Sequence, residues 1–121
     1  MKITVIGCGT TGNEIIPLLQ GELTLIDRDI VEEKNLARQR LFSKKDLGKP
    51  KAEVLGKKIS CSYFIEDLDS ETISILNADL IIDCTDNLET RFLINEYCKK
   101  KNISWIYTAV VANRGRVMAI T

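Results

Sequence analysis

The sequence predicts an α/β protein with a doubly wound, mainly parallel sheet and helices on both of its faces. Short apolar runs alternate with segments of helical spacing along the whole chain. A glycine-rich turn follows the first apolar run, and acidic residues follow the second and the fourth. This alternation is typical of parallel strands joined by right-handed helical crossovers. The length of 121 residues suits one domain with one core.

The first predicted strand and the turn after it indicate a phosphate site. The apolar run 3–6 is followed by three glycines and then by a stretch that can open a helix; the glycines are Gly7, Gly9 and Gly12. Because glycine lacks a Cβ, backbone N–H groups and a helix N-terminus can approach an anion closely. Pro17 lacks an N–H, so we expect it to kink or shorten this first helix.

The second predicted strand ends on an acid. Asp27 closes the run L-T-L-I-D, about twenty residues beyond the glycine turn, where a carboxylate can take the ribose hydroxyls in a Rossmann-like fold. Asp27 would serve a nicotinamide-binding domain equally well. The order strand, glycines, helix and acid therefore predicts a ligand with a ribose and phosphates, without naming it.

Positive charge is concentrated between Lys34 and Lys58. This segment holds nine Lys or Arg and two acids, a local excess of +7, whereas the whole chain has 17 residues of each sign. The balanced total argues against a general role in coating nucleic acid or an anionic membrane. The local excess is either a solvated helical face or a contact for a polyphosphate. Within it we predict a polar loop up to Phe42, a capped turn over 43–46 and a helix over 51–59.

The middle of the chain continues the alternation. Residues 61–65 predict a third strand, and a short helix is expected from about residue 70 to residue 76. The next apolar strand ends in two carboxylates, Asp83 and Asp86. In an open parallel sheet, ligands bind at the edge where the strands end. Both acids are therefore placed near the predicted site.

The last third of the chain predicts one long helix and two strands. Residues 88–101 have helical spacing, carried by Leu88, Phe92, Leu93 and Tyr97. Asn102 is expected to end this helix in a left-handed conformation. Residues 103–109 and 116–120 then predict a fifth and a sixth strand.

The cysteine and histidine content excludes several kinds of chemistry. The four cysteines are too widely spaced for a CxxC pair, so we expect free thiols in a reducing compartment; they are Cys8, Cys61, Cys84 and Cys98. The sequence has no histidine, which removes Ser-His and Cys-His nucleophilic catalysis. Met1 leads directly into the first strand, and no apolar run approaches the roughly 18 residues of a membrane span. We therefore expect a cytoplasmic protein.

Four separated motifs together resemble the ThiF/MoeB/HesA family, whose adenylation fold is shared with ubiquitin-activating enzymes. They are V-I-G-C-G-T-T-G-N-E-I, L-T-L-I-D-R-D-I-V-E-E-K-N-L-A-R-Q-R-L-F, D-L-G-K-P-K-A-E and L-I-I-D-C-T-D-N-L-E-T-R-F. By this resemblance, residues 1–121 are identified as a single nucleotide-binding domain of the adenylation type. The N-terminal helix and the C-terminal acceptor and zinc segment of the family are not found in these residues.

The resemblance implies ATP-dependent adenylation of the C-terminal glycine carboxylate of a small ubiquitin-like sulfur-carrier or modifier protein, with release of pyrophosphate. The implied partners are a carrier that ends in Gly-Gly and a second chain in a homodimer or heteromer. The implied cofactors are ATP and Mg²⁺, with Asp86 as the metal ligand. Catalytic roles are implied for Arg38, Lys51 and Asp86. The implied nucleotide contacts are Gly7, Gly9, Gly12, Asp27, Asp29, Asn35, Arg38, Gln39 and Lys51.

Each implied role has a structural alternative. Arg38 and Lys51 could be surface charges, Asp86 could cap the following helix, and Asn35 or Gln39 could merely pin the loop. At the level of function, the alternatives are a non-catalytic nucleotide-binding or partner-binding module and an NAD(P)-sensing domain. An ionised carrier carboxylate needs alignment and charge neutralisation rather than a general base, which is compatible with a chain that lacks histidine.

Overall fold

The computed structural model describes residues 1–111 and 114–120, which form one six-stranded sheet. Its spatial order is β3-β2-β1-β4-β5-β6. The strands are β1 (Lys2–Ile6), β2 (Glu22–Ile26), β3 (Ser62–Phe64), β4 (Leu80–Asp83), β5 (Ser104–Val111) and β6 (Arg114–Ile120). The first five strands pair in parallel, and β6 pairs antiparallel with β5. The predicted doubly wound, mainly parallel sheet is confirmed.

The chain adds β2 and β3 on one side of β1 and then crosses to the other side of β1 to add β4, β5 and β6. Strands β1 and β4 are neighbours at the centre of the sheet, and in their register Ile6 lies opposite both Ile26 of β2 and Asp83 of β4. Loops that leave the carboxyl ends of such central strands diverge to opposite faces, and this leaves a crevice at the edge of the sheet. The fold therefore provides a binding crevice beside the glycine turn.

Helices cover both faces of the sheet, as predicted. The helices are α1 (Thr10–Ile15), α2 (Lys51–Ile59) and α3 (Leu88–Lys101). On one face, Leu55 of α2 packs in a core with Val5 and Leu25. On the other face, Ile94 of α3 packs with Ile81. No helix of the described residues is long and apolar enough to cross a membrane.

Two of the predicted helices are shorter than a regular α-helix in the structure. The shortening of the first was predicted, and that of the second was not. The first helix ends at Ile15 and continues as a 3₁₀ turn over Ile16–Leu18, which confirms that Pro17 shortens it. The helix expected over 70–76 is reduced to a 3₁₀ turn at Ile73–Ile75, so that prediction was wrong. The carboxylate of Asp69 accepts hydrogen bonds from two backbone N–H groups just before this turn, and such local bonds compete with a helix.

Helix α3 has the predicted bounds, but of the four residues that carry its spacing only Leu93 and Tyr97 pack against the core. Thr90, Ile94 and Cys98 are buried, whereas Leu88 and Phe92 are 67% and 63% exposed. The helix carries apolar residues on two sides, and spacing alone does not show which side packs. Asn102 ends the helix with φ 57°, in the predicted left-handed conformation.

Candidate functional site

A cavity of about 700 Å³ lies at the carboxyl edge of the parallel strands. This volume is within the range of small-molecule sites, which is about 300 to 1,000 Å³. Its wall is formed by the glycine turn after β1, Asp27 after β2, the segment 84–87 after β4, and Thr108 of β5. The glycine turn, Asp27 and Asp86 therefore meet around one space, as the sequence predicts, and Thr108 of β5 adds to its wall.

The three glycines of the turn have different reasons to be glycine. Gly7 has a φ of +102°, and a Cβ there would lie 2.8 Å from the carbonyl oxygen of Cys84. A Cβ on Gly12 would collide with the carbonyl oxygen of Gly7, and Gly12 does not line the cavity. A Cβ on Gly9 would approach no closer than 3.8 Å, to Nε2 of Gln39. Gly7 and Gly12 are therefore required by the packing of the chain, whereas Gly9 leaves free space at the cavity wall.

A buried asparagine that sequence reasoning missed fastens the turn. The side-chain nitrogen of Asn13 donates to the carbonyl oxygens of Cys8, at 3.0 Å, and Gly9, at 2.9 Å. Its oxygen accepts from the backbone N–H of Leu41 at 2.9 Å. One side chain therefore joins the glycine turn to the segment that carries Arg38 and Gln39. An amide within a short apolar helix is the sequence feature that could have indicated it.

Asp27 connects the glycine turn to the next loop. One carboxylate oxygen accepts from the backbone N–H of Cys8 at 2.6 Å, and the other accepts from Asp29 at 2.7 Å. Burial raises the pKa of Asp27, and these two hydrogen bonds act in the opposite direction. Each carboxylate oxygen has more than one lone pair, so Asp27 can still accept from hydroxyl donors in the cavity. Asp29 also lines the cavity, as predicted.

The two predicted cations reach the cavity in different ways. Lys51 is the first residue of α2 and is only 6% exposed, which excludes its interpretation as a surface charge. Within the described residues, no carboxylate forms an ion pair with its amine. Arg38 is exposed and lines the opening. Because an unpaired buried cation is costly, Lys51 is suited to an anionic ligand.

Gln39 and Asn35 were predicted together, but only Gln39 faces the cavity. Gln39 is 6% exposed, and its side-chain oxygen has no hydrogen-bond donor within the described part of the chain. A buried acceptor without a donor costs about 1 to 3 kcal/mol, so a donor from a ligand would be stabilising. Asn35 does not line the cavity; its oxygen accepts from the N–H of Glu32 at 2.8 Å. Its position fits a loop-pinning role, and its contact with nucleotide stays a prediction.

The two acids that follow β4 have different surroundings. Asp83 is fully buried, and its Oδ2 lies 3.0 Å from Nε of Arg91. Asp86 is exposed at the cavity, and among the described residues no hydrogen bond or ion pair engages its carboxylate. The cap of α3 is instead Asn87, whose side chain accepts from the N–H of Thr90 at 3.1 Å. Of the two acids that follow β4, Asp86 is therefore the one free to hold a metal ion.

The structure tests whether Mg²⁺ suits this site. No group of three or more His, Cys, Asp or Glu that could hold a metal occurs among the described residues. Mg²⁺ is commonly bound by one or two carboxylates, with substrate phosphates and water completing its shell. A single free carboxylate at Asp86 fits a metal ion that arrives with a triphosphate.

Sequence reasoning also missed Arg91 and the loop after β3. Arg91 donates from Nη2 to the backbone carbonyls of Thr85 and Thr108, and its guanidinium lies 5.2 Å from the centroid of the Tyr107 ring. The spacing D-C-T-D-N-L-E-T-R, with an acid at a buried strand end and an arginine early in the next helix, could have indicated this pair. The loop residues are Glu66, Asp67 and Leu68, which no pattern in the sequence marks.

The fold and this cavity define a Rossmann-like α/β domain with a polar cleft at the switch point of its sheet. A model of the ThiF family matches residues 1–121. The chain therefore belongs to the ThiF family, and the resemblance found in the sequence motifs is confirmed.

Relatives with known names are adenylyltransferases and activating enzymes. The sulfur carrier protein ThiS adenylyltransferase of Escherichia coli (strain K12) is 32% identical over 99% of this chain and 53% of its own length. The SAMP-activating enzyme E1 of Haloferax volcanii is 29% identical over 98% of this chain and 49% of its own. The crystal structure of E. coli MccB with ATP has a TM-score of 0.80 and 33% identity, covering 91% of this chain and 37% of that one. This chain thus spans about half the length of the two curated relatives.

Proposed function

We propose that this chain uses ATP to adenylate the C-terminal glycine carboxylate of a small ubiquitin-like sulfur-carrier or modifier protein. The observation that carries the proposal is the convergence of Gly9, Lys51 and Asp86 on one cavity at the carboxyl edge of the sheet. The names of the relatives support it, since two of them activate or adenylate carrier proteins. A structure of MccB with ATP supports the choice of nucleotide.

The proposed roles follow the positions of the side chains around the cavity. Asp27 accepts the ribose hydroxyls, and the space beside Gly9 admits a phosphate. Lys51 and Arg38 neutralise phosphate oxygens, Lys51 as a compact charge and Arg38 as a planar fork. Gln39 offers its free acceptor, and Asp29 shapes the loop below α2 because its carbonyl accepts from the N–H of Lys51 at 2.9 Å.

The proposed chemistry is one displacement at the α-phosphorus. An oxygen of the carrier carboxylate bonds to phosphorus, and the bond to the oxygen bridging the α- and β-phosphates breaks. Pyrophosphate leaves with the electron pair, and the carrier gains an acyl adenylate. Mg²⁺ held by Asp86 would neutralise charge on the leaving group. Since a C-terminal carboxylate is ionised at neutral pH, the step requires no proton transfer from the carrier.

Carrier-dependent exchange of labelled pyrophosphate into ATP tests this function. We expect wild-type protein to catalyse exchange only with a carrier that ends in Gly-Gly, and Asp86→Asn to reduce the rate at least 100-fold. Glu96→Gln is the matched control, because Glu96 is an exposed acid of α3 outside the cavity. Equal exchange by wild type and Asp86→Asn would contradict the assigned metal ligand.

The main alternative is a module that binds nucleotide or a partner without turnover. It would be favoured by tight binding of ATP and Mg²⁺ in calorimetry with no exchange for any carrier. An NAD(P)-sensing domain is the third possibility, since Asp27 and the glycine turn would serve it as well. Nicotinamide dinucleotide binding without ATP binding would favour that domain.

We also propose that the chain works as a homodimer or heteromer in the cytoplasm. The support for assembly is the family, in which a second chain is expected to complete the ATP site. The support for the compartment is chemical: the four cysteines are free thiols, which suit a reducing environment. Light scattering on the purified protein should give a mass above that of one chain; a stable monomer alone and with its carrier would contradict the assembly.

A further inference from the structure

We propose that Arg91 is a positioning residue, which holds the segment 85–87 in place and thereby sets the position of the Asp86 carboxylate. The inference rests on the proposed function, in which Asp86 holds Mg²⁺. Arg91 lines the cavity, but both hydrogen bonds that its Nη2 donates go to protein carbonyls. No pattern in the sequence assigned this residue a role.

Arg91 connects three elements through one guanidinium. Its Nε lies 3.0 Å from Oδ2 of Asp83 at the end of β4, and its Nη2 donates to the carbonyl oxygens of Thr85 and Thr108. The face of the guanidinium lies over the ring of Tyr107, at 5.2 Å from the centroid. The start of α3, the end of β4 and the middle of β5 are thus joined at one point.

Thr85 is held from both sides by this ion pair. Its N–H and its hydroxyl donate to Oδ1 of Asp83, at 2.9 and 2.6 Å, while its carbonyl accepts from Arg91. The carboxylate of Asp83 is itself fixed, because Asp83 is fully buried and the hydroxyl of Thr108 donates to its backbone carbonyl at 3.1 Å. The backbone immediately before Asp86 therefore has one position.

The backbone immediately after Asp86 is fixed as well. Asn87 caps α3, its side chain accepting from the N–H of Thr90 at 3.1 Å. Within the described residues the exposed Asp86 carboxylate has no hydrogen bond or ion pair, so its neighbours in the chain set its position. A metal ligand held this way needs a rigid support behind it.

Lysine cannot replace Arg91 in this arrangement. A guanidinium is a rigid planar group, so Nη2 can donate to two carbonyls while the delocalised charge forms an ion pair with the Asp83 carboxylate. An ammonium is a single point on a flexible stem and keeps the charge but not the three directions. Arg91→Lys therefore separates the geometry of the residue from its charge.

The test compares Arg91→Lys with Arg40→Lys in two measurements. Arg40 is an exposed arginine that pairs with Glu14 at 3.3 Å, outside the cavity, so it controls for the chemical change itself. In the nucleotide-free protein, amide hydrogen exchange over residues 84–90 should be at least 10-fold faster in Arg91→Lys. In calorimetry, the gain in ATP affinity on adding Mg²⁺ should fall about 10-fold, while ATP affinity in EDTA is unchanged.

Two results would overturn the proposal. One is that Arg91→Lys loses thermal stability but keeps the full Mg²⁺-dependent gain in ATP affinity, which would show a structural role only. The other is an unchanged rate of amide hydrogen exchange over residues 84–90. If wild type binds no ATP, the proposed function fails, and the exchange measurement still decides whether Arg91 holds the segment. If Arg91→Lys does not fold, Thr85→Val, which removes one hydroxyl donor to Asp83, should shift both measurements in the same direction by a smaller factor.

Discussion

Lys51 combines burial, a cavity position and the lack of an acidic partner among the described residues. Most buried cations are paired, and removing one partner of a pair leaves an uncompensated charge. Lys51 has no ion pair of this kind, but its charge lowers the pKa of the buried Asp27 carboxylate, so its removal also acts on that carboxylate. Nucleotide binding and stability are therefore measured separately.

We predict that Lys51→Met weakens ATP binding about 10- to 100-fold, equivalent to roughly 1.4 to 2.7 kcal/mol, and lowers the melting temperature only slightly, because Asp27 loses a nearby cation. The loss follows from removing a cation beside the phosphates. Calorimetry and thermal unfolding measure the two quantities. Lys57→Met is the control, because Lys57 is an exposed residue of the same helix that pairs with Glu53 at 3.1 Å. Unchanged ATP affinity in Lys51→Met would contradict the proposed role.

The cysteines offer a prediction that depends on pH. Burial raises the pKa of both Cys84 and Cys98 to about 11. A raised thiol pKa means that the thiol stays protonated up to a higher pH, so at pH 8 only about one thiol in a thousand is a thiolate. We predict that iodoacetamide modifies these two cysteines slowly at pH 8 and faster as the pH rises toward 11. Modification at pH 8 as fast as that of unfolded protein would contradict this.

Sequence reasoning succeeded for some site residues and failed for others for a physical reason. Lys51 and Asp86 lie within contiguous motifs, and the structure places both at the cavity. Arg91 and Asn13 also lie within these motifs, but they act through partners that are distant in sequence or through backbone groups, and such contacts exist only after the chain has folded. Asn35 lies in a motif but uses its oxygen for a local cap.

At the scale of elements, the glycine turn and the start of α1 form one packed unit. Gly7 and Gly12 contact each other through backbone, and Asn13 bonds to the turn from within the helix. The predicted strand, turn and helix could be read from the sequence because their pattern is local. The reason why each position must be glycine could not be read from the sequence, since it depends on which atoms a Cβ at that position would meet in the folded chain.

We predict opposite outcomes for alanine at two of these glycines. Gly12→Ala forces a Cβ against the carbonyl of Gly7 and should lower the free energy of unfolding by about 1 to 3 kcal/mol. Gly9→Ala meets open space and should fold with nearly normal stability, yet weaken ATP binding about 10-fold, since its Cβ occupies the phosphate space. Denaturant unfolding and calorimetry measure the two effects. Normal ATP affinity in Gly9→Ala would contradict the position assigned to the phosphates.

For helix α3, the spacing of apolar residues predicts that a helix forms but not which of its sides is buried. Its end follows from the left-handed Asn102, which was predicted, whereas its cap is Asn87 and not Asp86, which the sequence offered as an alternative. The buried face of the helix could not be predicted, because Leu88 and Phe92 form a second apolar side that resembles the side that packs against the sheet.

The orientation of α3 can be tested by truncating one residue on each side. We predict that Phe92→Ala changes the free energy of unfolding by no more than about 0.5 kcal/mol, because Phe92 is exposed. Ile94→Ala should cost about 2 to 5 kcal/mol, because Ile94 is fully buried against the sheet. Denaturant unfolding of both variants gives the comparison. Equal losses would mean that the helix packs with a different face.

At the scale of the whole molecule, the order of the strands creates the site. Placing β1 between β2 and β4 brings the glycine turn, Asp27 and Asp86 to one edge, although they are spread over 80 residues of the chain. Alternation of strands and helices predicted this sheet, because right-handed crossovers leave few topologies. The antiparallel pairing of β6 also agrees with the predicted strands, because the six residues between 109 and 116 are too few for a parallel crossover.

The central claim is that this cavity transfers the AMP group of ATP to a carrier carboxylate. The most direct measurement is the intact mass of a carrier ending in Gly-Gly after incubation with this chain, ATP and Mg²⁺. We predict a product whose added mass is that of one AMP group on the C-terminal glycine, absent with Asp86→Asn and without Mg²⁺. A carrier whose mass stays unchanged, in the presence of wild-type protein that demonstrably binds ATP and the carrier, would contradict the claim.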